Sequence, residues 1–461
     1  MSKVYRYCSV NIAAAGAADS KGGCYRTRDS QIVQRTEFDI QWRNGNESGP
    51  STYYVVPEPR IWRQKLLDEP LNQRCWVVQE RILSPRTLQF GRQQLFWECR
   101  EKIACETYHR GLPVSLQGDT FIAIKTLELG DETSDDRWPA LHVSKNSGIA
   151  PTLFGSMWNK FTELFRPIVR QEVTLYATKR SGAVYRDWDT VVELYSLGEL
   201  TFANDKLIAI AGIAEAISRG EENFPNDGYL AGLWHSSLPS HLLWTTENVN
   251  VLRHGVWQPK APERYHKYIA PSWSWPSVNG KISFEWCQRD FDKTDYLATM
   301  VDVHITQRTE YRFGSVVSGH LTILAPIASC LWTSEDKIPS ARPSLAAITQ
   351  IFPLGENCDV AAQTFPATTS QLEKMCFDTA EASTSKEIIL LPVIGTMQKT
   401  AHDTEAIFAL ILRKALQSDI RRASFSTRSG DCYLRIGFLY TGRPQVCRIL
   451  RNMQRQSVTI I

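Results

Sequence analysis

The spacing of apolar positions predicts a helix followed by a hairpin between Arg60 and Glu106. In IWRQKLLDEPLNQRCWVVQERIL, apolar residues recur three and four positions apart, which is typical of one face of a helix. The following TLQFGRQQLFWEC indicates two short strands around Gly91. Because proline disfavours helical backbone at the residue before it, Pro85 predicts that the helix ends at about Ser84.

Helical spacing continues through the middle of the chain and then gives way to strand-like runs. It recurs in MWNKFTELFRPIVRQEV, WDTVVELYSLGEL and DKLIAIAGIAEAISRG, and YLAGLWHSSLPSHLLW is predicted as a further helix broken at Pro239. Later runs such as KISFEW, TMVDVHITQ and DCYLRIGFLY are short, β-branched and aromatic, which indicates an antiparallel sheet. The predicted fold class is therefore mixed, α+β or α/β, with a helical middle and a β-rich C-terminal region.

A polar stretch separates the first predicted hairpin from the helical middle. It contains GDETSDDRWP and SKNSGIAP, whose glycine, serine and aspartate content indicates a linker or surface excursion. A chain of 461 residues also exceeds what one hydrophobic core usually organises. The predicted organisation is an N-terminal domain at 1–110, a linker at 111–154, a helical accessory region at 155–260 and a β-rich region at 261–461.

Composition argues against several classes of protein. The 52 basic residues nearly balance the 49 acidic ones, so no overall field attracts nucleic acid or an anionic membrane. The sequence contains no run of about 18 apolar residues, so we expect no membrane span. The start is too polar for a secretory signal, and the eleven cysteines are scattered, which favours a reducing, cytoplasmic setting.

The cysteines and histidines do not show the spacing of a metal site. The nearest cysteine pair, Cys99 and Cys105, has no accompanying histidine cluster, so we expect neither a structural metal nor a cofactor. Cys75 or Cys99 could act as a nucleophile with His109, but sequence distance does not establish such a dyad. GGCY at 22–25 lacks the glycine spacing and the lysine of a phosphate-binding loop and predicts a turn.

The block CWVVQERILSPRTLQFGRQQLFWEC at residues 75–99 resembles the closing motif of fungal heterokaryon incompatibility (HET) domains. That motif runs tryptophan, two residues, glutamine and glutamate, then leucine-serine-proline-arginine and an aromatic strand. Residues 4–28 resemble an earlier part of the domain, and YLAGLW and APSWSWPSV resemble the accessory region that often follows it. The matching motif positions are Trp76, Gln79, Glu80, Leu83, Ser84, Pro85, Arg86, Phe90, Phe96, Trp97, Glu98 and Cys99.

The resemblance implies a fungal protein of non-self recognition that signals programmed cell death through protein partners, including self-assembly among its own copies. It also implies a distant relation to Toll/interleukin-receptor domains, which have an α/β flavodoxin-like fold and in some cases cleave NAD. The Trp-Ile-Asp strand and the Cys-Ile-Asn-Gln run that family members carry upstream have no counterpart here. We therefore expect residues 1–110 to be the C-terminal portion of an N-terminally truncated HET domain.

Two roles are open for Glu80, which lies four positions after Trp76 on the predicted helix. As a functional group it would be a buried carboxylate with a raised pKa. As a structural group it would tie the helix to the following turn, with Arg86 as its charge-assisted partner, and we favour this role. The apolar residues of the motif are predicted to be mostly buried together, namely Trp76, Leu83, Leu88, Phe90, Leu95, Phe96 and Trp97.

Two further aromatic candidates lie in APSWSWPSV. Trp273 and Trp275 alternate as strand residues do, which would place both on one face. They could stack on a ligand ring or fill a core. Because large aromatic side chains bury about 150–250 Å² each, core packing is the stronger expectation.

Three functions are open at this point. The leading hypothesis is a HET family signalling protein. The alternatives are an NAD-cleaving or other hydrolytic enzyme related to Toll/interleukin-receptor domains, and a truncated, non-catalytic regulator of a full-length paralogue. An enzyme would depend on one carboxylate, but the sequence identifies no catalytic residue.

Overall fold

The computed structural model of the chain contains both helices and strands, as the sequence predicts. The chain divides into two compact units, one of Met1–Asp187 with Ala216–Phe224 and one of Trp188–Glu215 with Pro225–Ile461. The structure describes residues 2–33, 37–40, 51–54, 65–112, 125, 183–220, 228–253, 256–287, 293–331, 373–380, 382, 387–398, 404–425 and 431–461.

Short helices and strands surround a four-stranded sheet in the first unit. The elements in chain order are α1 (Ser2–Arg6), β1 (Asn11–Ala13), β2 (Glu37–Ile40), β3 (Ser51–Tyr54), α2 (Cys75–Leu83), β4 (Arg86–Phe90), β5 (Leu95–Cys99) and β6 (Ile103–Cys105). The sheet has the order β1-β4-β5-β6, with β1 parallel to β4 and the other neighbours antiparallel. β2 and β3 pair separately as an antiparallel ribbon. A 3-10 turn, Pro70–Gln73, precedes α2.

The end of the predicted helix and the hairpin are present, but the helix is shorter than predicted, because it covers only Cys75–Leu83 and a 3-10 turn that begins at Pro70 precedes it. α2 ends at Leu83, and Ser84 closes it because its backbone N–H and its hydroxyl both donate to the Glu80 carbonyl, at 3.3 and 2.6 Å. β4 and β5 then form the hairpin around Gly91. A Cβ on Gly91 would lie only 2.8 Å from the Gln94 carbonyl oxygen, so the turn requires a residue without a side chain.

The sheet of the first unit is mixed rather than parallel. Among its described strands, β1 and β4 are the only parallel neighbours. A flavodoxin-like fold is built on a largely parallel sheet. A mixture of helices and strands is therefore what the structure establishes, and the relation to Toll/interleukin-receptor domains stays a prediction.

The second unit takes in most of two helices and a long series of strands. Its elements up to residue 283 are α3 (Ala183–Tyr195), α4 (Ile208–Gly220), β7 (Tyr229–Leu230), β8 (Leu233–Trp234), β9 (Thr245–Glu247), β10 (Val249–Arg253), β11 (Val256–Lys260), β12 (Glu263–Arg264), β13 (Val278–Asn279) and β14 (Lys281–Ser283). The later elements are β15 (Lys293–Tyr296), β16 (Thr299–Gln307), β17 (Val316–Pro326), β18 (Ala328–Leu331), β19 (Glu373–Phe377), β20 (Glu387–Gln398), β21 (Thr404–Lys414), α5 (Gln417–Arg422), β22 (Cys432–Thr441), α6 (Pro444–Asn452) and β23 (Arg455–Ile460). Among the helices described here, none is long and apolar enough to cross a membrane.

A nine-stranded sheet organises the second unit. Its main path is β15-β20-β21-β22-β23-β17-β16, with β18 added beside β20 and β19 beside β22. Residues 406–412 of β21 are all buried, and since successive side chains point to opposite faces, both faces of this strand are covered. From α6, Val446, Cys447 and Leu450 pack into the core cluster on this sheet. The predicted β-rich character of the C-terminal part is therefore present among the described residues.

The prediction of a helical middle is only partly right. Helices α3 and α4 match two of the predicted stretches, whereas MWNKFTELFRPIVRQEV and most of the predicted 111–154 linker lie outside the described residues. The helix predicted around Pro239 is wrong, because the chain there forms the β7–β8 hairpin and two 3-10 turns. In the hairpin turn, Ala231 and Gly232 have φ angles of 50° and 109°, which right-handed helical backbone excludes. The predicted domain boundaries stay predictions.

Gly437 provides a test of the close pairing of β19 with β22. A Cβ at this position would lie 2.5 Å from the Cys376 carbonyl oxygen and 3.1 Å from the Phe377 Cα. We expect Gly437→Ala to lower the free energy of unfolding by about 1–3 kcal/mol, the usual cost of overpacking, as measured by urea denaturation. Gly228→Ala is the control, since its Cβ would meet His235 at an ordinary 3.6 Å. Equal stability of the two variants would contradict the pairing.

Candidate functional site

A bidentate ion pair between Arg81 and Glu98 lies in the interior of the first unit. Nη2 of Arg81 is 2.6 Å from Oε1 of Glu98, and Nε donates to Oε2 at 3.1 Å. The two side chains are 3% and 1% exposed. Arginine and glutamate are almost never buried this completely unless they are paired, so the site is built outward from these two groups.

The alternation of side chains along β4 and β5 directs polar groups inward. Thr87 and Gln89 are the buried residues of β4, and Phe96 and Glu98 are the buried residues of β5. Thr87 lies directly opposite Glu98 in the hairpin register. Because successive strand residues point to opposite faces, apolar neighbours such as Leu88 lie on the outer face.

Two amides extend the ion pair toward the turn before α2. Nε2 of Gln89 donates to Oε2 of Glu98 at 2.5 Å, and Oε1 of Gln89 accepts a hydrogen bond from Nδ2 of Asn72 at 2.8 Å. The same Asn72 nitrogen donates to the Leu66 carbonyl at 2.7 Å. The Glu98 carboxylate is thus held from the helix and from the neighbouring strand at once.

Lys125 brings a second positive charge to this region. Its ammonium group donates to the carbonyls of Arg81 and Ser84, the latter at 2.5 Å, and to Oγ1 of Thr87 at 3.0 Å. The residue is 3% exposed. We refer to the following five residues as the buried polar network: Asn72, Arg81, Gln89, Glu98 and Lys125.

The buried polar network holds Glu98 ionised. Burial by itself raises the pKa of the Glu98 carboxyl, but Arg81, Lys125 and Gln89 together outweigh burial and set that pKa below its usual value. Burial lowers the pKa of Lys125 to about 8, although the nearby Glu98 carboxylate opposes the change. With its carboxylate enclosed by two cations, the network is arranged to hold charge in place rather than to exchange protons with a substrate.

Glu80 lies outside the network and contacts Tyr5 instead. Burial raises the pKa of Glu80 above its usual value, although a hydrogen bond from Tyr5 opposes the change. Burial and the Glu80 carboxylate together raise the pKa of Tyr5 to about 12. Arg86 is exposed and donates to the Ser9 carbonyl at 3.4 Å, so the predicted pairing of Arg86 with Glu80 is wrong.

The motif residues divide between the interior and a half-exposed outer face. Gln79, Ser84 and Glu98 are buried, and Arg86 is exposed. The half-buried members are Trp76, Glu80, Pro85, Phe90, Trp97 and Cys99. The prediction that the seven apolar residues are mostly buried together is partly right, because none of them is exposed but strand alternation places those of β4 and β5 on both faces of the sheet. Leu83 and Phe96 are buried, whereas Trp76, Leu88, Phe90, Leu95 and Trp97 are half-buried.

The described cysteines near the network form no disulfide. Cys75 is buried, Cys99 is half-buried, and the candidate base His109 is exposed. Burial raises the pKa of the Cys105 thiol to about 11, so this group is protonated at neutral pH and is a poor nucleophile. Within the described ranges, no cluster of His, Cys, Asp or Glu side chains is placed to hold a metal ion.

The accessory aromatic residues Trp273 and Trp275 belong to the interior of the second unit. Both are fully buried. Nε1 of Trp275 donates to the Gly232 carbonyl at 2.8 Å, and the Trp273 carbonyl accepts a hydrogen bond from Nε1 of Trp244 at 2.9 Å. Core packing is therefore confirmed, but the predicted strand is wrong because Trp275 begins a 3-10 turn.

Reasoning from the sequence missed four of the five network residues, namely Asn72, Arg81, Gln89 and Lys125. A signal was present in the hairpin, where Thr87 and Gln89 alternate with apolar residues on β4 and Glu98 follows Trp97 on β5. Alternation identifies two faces but does not say which one is buried. For Lys125 the signal was a single lysine within the apolar run FIAIKTLEL.

Removing one partner of the buried ion pair should destabilise the first unit strongly. Arg81→Gln would leave Glu98 buried without its guanidinium, and we expect a loss of about 3–5 kcal/mol in the free energy of unfolding. Arg28→Gln is the matched control, because the Arg28–Glu106 pair spans a similar 2.6 Å but is 24% and 32% exposed. Its loss should cost less than about 1 kcal/mol. Equal effects in chemical denaturation would show that burial of the pair does not matter.

The lowered pKa of Glu98 also predicts a pH dependence. A carboxyl whose pKa is lower in the folded state stabilises the fold above its unfolded pKa, and that contribution disappears as pH falls through the folded pKa. The stability difference between the unmodified chain and Glu98→Gln should therefore be largest near neutral pH and shrink below about pH 4.5. Glu101→Gln, at an exposed position, is the control and should give no such trend. A constant difference across that range would contradict the assignment.

Comparison with known proteins gives one finding. Residues 1–80 match the family model described as "Heterokaryon incompatibility protein (HET)". No curated protein and no solved structure matches the chain. The match ends within helix α2, so the part of the motif that includes Glu98 lies beyond it. The predicted resemblance to the HET family is thus confirmed for residues 1–80, which are similar to this family.

Proposed function

We propose that this chain is a cytoplasmic signalling protein of fungal heterokaryon incompatibility, acting in non-self recognition and programmed cell death through protein partners. The match of residues 1–80 to the HET family is the observation that supports this proposal most directly. In such a role the first unit presents a surface to other protein chains, and the buried polar network acts as its framework. The second unit serves as an accessory region.

An apolar row on the outer face of the four-stranded sheet supports a partner surface. Ile12 on the edge strand β1 lies opposite Leu88 on β4, and Leu88 lies opposite Trp97 on β5. Ile12 is 55% exposed, and the other two are half-buried. Apolar side chains that adjoin one another and remain partly accessible to solvent are typical of surfaces that bind other proteins. We call Ile12, Leu88 and Trp97 the outer apolar row.

Two further observations are consistent with a cytoplasmic signalling role. None of the ten cysteines within the described residues forms a disulfide, as is usual in a reducing compartment. The charges of the buried polar network are engaged with one another, so they are not available for turnover of a substrate. Both features are consistent with a protein that acts by binding other proteins.

An NAD-cleaving or other hydrolytic activity is the second candidate, and Glu80 is the residue that favours it. Its carboxyl has a raised pKa because of burial, and it lies beside the Tyr5 hydroxyl. A carboxyl with a raised pKa is suited to proton transfer near neutral pH. In this case Glu80 would act as the acid or base, whereas in a signalling protein it would be structural.

Regulated expression of the whole chain in a filamentous fungus tests the proposal. We expect growth arrest and cell death from the unmodified chain, and a weaker response from Ile12→Ser, since this change places a hydroxyl in the outer apolar row. Val4→Ser is the matched control, because Val4 is 66% exposed but lies outside the row. Normal growth at confirmed expression of the folded chain would contradict the proposal.

Glu80→Gln separates the two candidates in the same assay. A signalling protein should retain killing with this substitution, and cellular NAD should stay constant before death. Loss of both killing and NAD consumption in Glu80→Gln, with unchanged folding by circular dichroism, would favour the enzyme. The Glu101→Gln variant, changed at an exposed carboxylate, controls for the loss of one negative charge.

A further inference from the structure

A small open pocket in the second unit has three cationic and two aromatic side chains among the residues that line it. It lies between the segment that follows β12, the end of α5 and the start of β22. Arg264, Lys267 and Arg422 bring three positive charges to its wall, and Tyr265 and Tyr268 contribute two phenol rings. We call these five residues the cationic pocket.

The acidic residue in the pocket wall, Asp419, already has its own partners. Its carboxylate accepts hydrogen bonds from Nη1 of Arg413 at 2.9 Å and from the Leu416 backbone N–H at 3.0 Å. It lies 4.0 Å from Nη2 of Arg422. The negative charge of Asp419 is therefore shared between Arg413, the start of helix α5 and Arg422.

Arg264 is likewise only partly neutralised. Its Nη2 donates to the Arg435 carbonyl at 2.9 Å and lies 3.5 Å from Oδ2 of Asp378, while its Nη1 donates to Oγ of Ser277 at 3.3 Å. Asp378 also pairs with the fully buried guanidinium of Arg435, whose Nη2 is 3.2 Å from Oδ1. The Asp378 carboxylate thus forms ion pairs with two guanidinium groups.

The groups around the pocket consequently carry an excess of positive charge. Two carboxylates, Asp378 and Asp419, face four guanidinium groups of Arg264, Arg413, Arg422 and Arg435. Lys267 adds a further cation at the rim. Burial lowers the pKa of Arg264; the carboxylates of Asp378 and Asp419 oppose this change, and the positive charges of Arg413 and Arg422 add to it. An anion in the pocket would offset this excess.

Tyr265 connects the pocket to one more cation. The Lys206 ammonium lies 3.4 Å from the Tyr265 hydroxyl oxygen and 5.1 Å from the ring centroid. Lys206 is 4% exposed and also donates to the Val278 carbonyl. A cation behind the phenol makes its hydroxyl a better hydrogen-bond donor toward the pocket.

We propose that the cationic pocket binds a phosphate group, either as inorganic phosphate or as the phosphomonoester of a mononucleotide. Guanidinium groups match the oxygen geometry of phosphate and form short charge-assisted hydrogen bonds with it. The phenol rings of Tyr265 and Tyr268 lie in the wall of the same pocket, where a base or sugar attached to the phosphate would meet them. The binding site is independent of the HET match and of the outer apolar row.

Calorimetric titration of the purified full chain tests the site, with inorganic phosphate, adenosine monophosphate and adenosine as probes in phosphate-free buffer. We expect both phosphate-bearing probes to bind and adenosine to give no heat. Tighter binding of the monophosphate than of phosphate would identify the nucleotide as the better ligand, and equal binding would identify phosphate alone. No binding of either phosphate-bearing probe, or equal binding of adenosine and its monophosphate, would overturn the proposal.

Neighbouring arginines on α5 supply a matched pair of variants. Arg422→Gln removes a cation from the pocket wall, whereas Arg421→Gln removes one from an exposed position outside the wall. We expect Arg422→Gln to weaken phosphate binding about tenfold, which corresponds to about 1.4 kcal/mol. Arg421→Gln should bind as the unmodified chain does. Equal weakening by both variants, with unchanged melting temperatures, would show that only the general surface charge attracts the anion.

Discussion

The bidentate pair of Arg81 and Glu98 constrains the first unit more than any other interaction described here. A buried ion pair gains little over apolar packing of the same volume, because both charges lose their hydration. Loss of either partner is nevertheless costly, since the other charge then remains buried alone. The pair therefore fixes helix α2 against strand β5 and determines which face of the hairpin is the inner one. Asn72, Gln89 and Lys125 complete the hydrogen bonds that such a face requires.

The orientation of the hairpin determines which of its residues lie at the surface of the first unit. With Thr87, Gln89 and Glu98 inside, the apolar residues on the other side of the sheet are left half-exposed at the surface of the first unit. An apolar face of this kind is useful in a protein that acts by binding other chains. The polar interior and the outer apolar row thus have a common origin in strand alternation. This connection is the physical basis for the proposal that the first unit presents a binding surface to other protein chains.

The second unit uses buried charge in a different way. Arg435 is fully buried, lies 3.4 Å over the ring of Trp244 and shares the single carboxylate of Asp378 with Arg264. In the first unit, two cations and a carboxylate are enclosed together, whereas here the unbalanced positive charge reaches an open pocket. Charge that is not neutralised internally attracts an external anion. The second unit therefore combines a structural core with a candidate site for a phosphate group.

The sequence by itself determined local elements of this protein and its resemblance to the HET family. The spacing of apolar residues and Pro85 predicted helix α2 and its end, the alternation around Gly91 predicted the hairpin, and the motif at 75–99 indicated the HET family. These features depend on interactions between residues a few positions apart. The predicted helix around Pro239 failed because the positive φ angles of a tight hairpin turn outweighed the helical spacing.

Only the tertiary structure decided which polar residues are buried and with whom. Arg81 and Glu98 are 17 residues apart, Arg264 and Asp378 are 114 apart, and Trp244 and Arg435 are 191 apart. A charged residue is read from a sequence as exposed, because its partner cannot be identified until the chain has folded. A polar side chain can be buried only where hydrogen bonds and opposite charges surround it. These partners come together only in the assembled core, so no local sequence pattern reveals them.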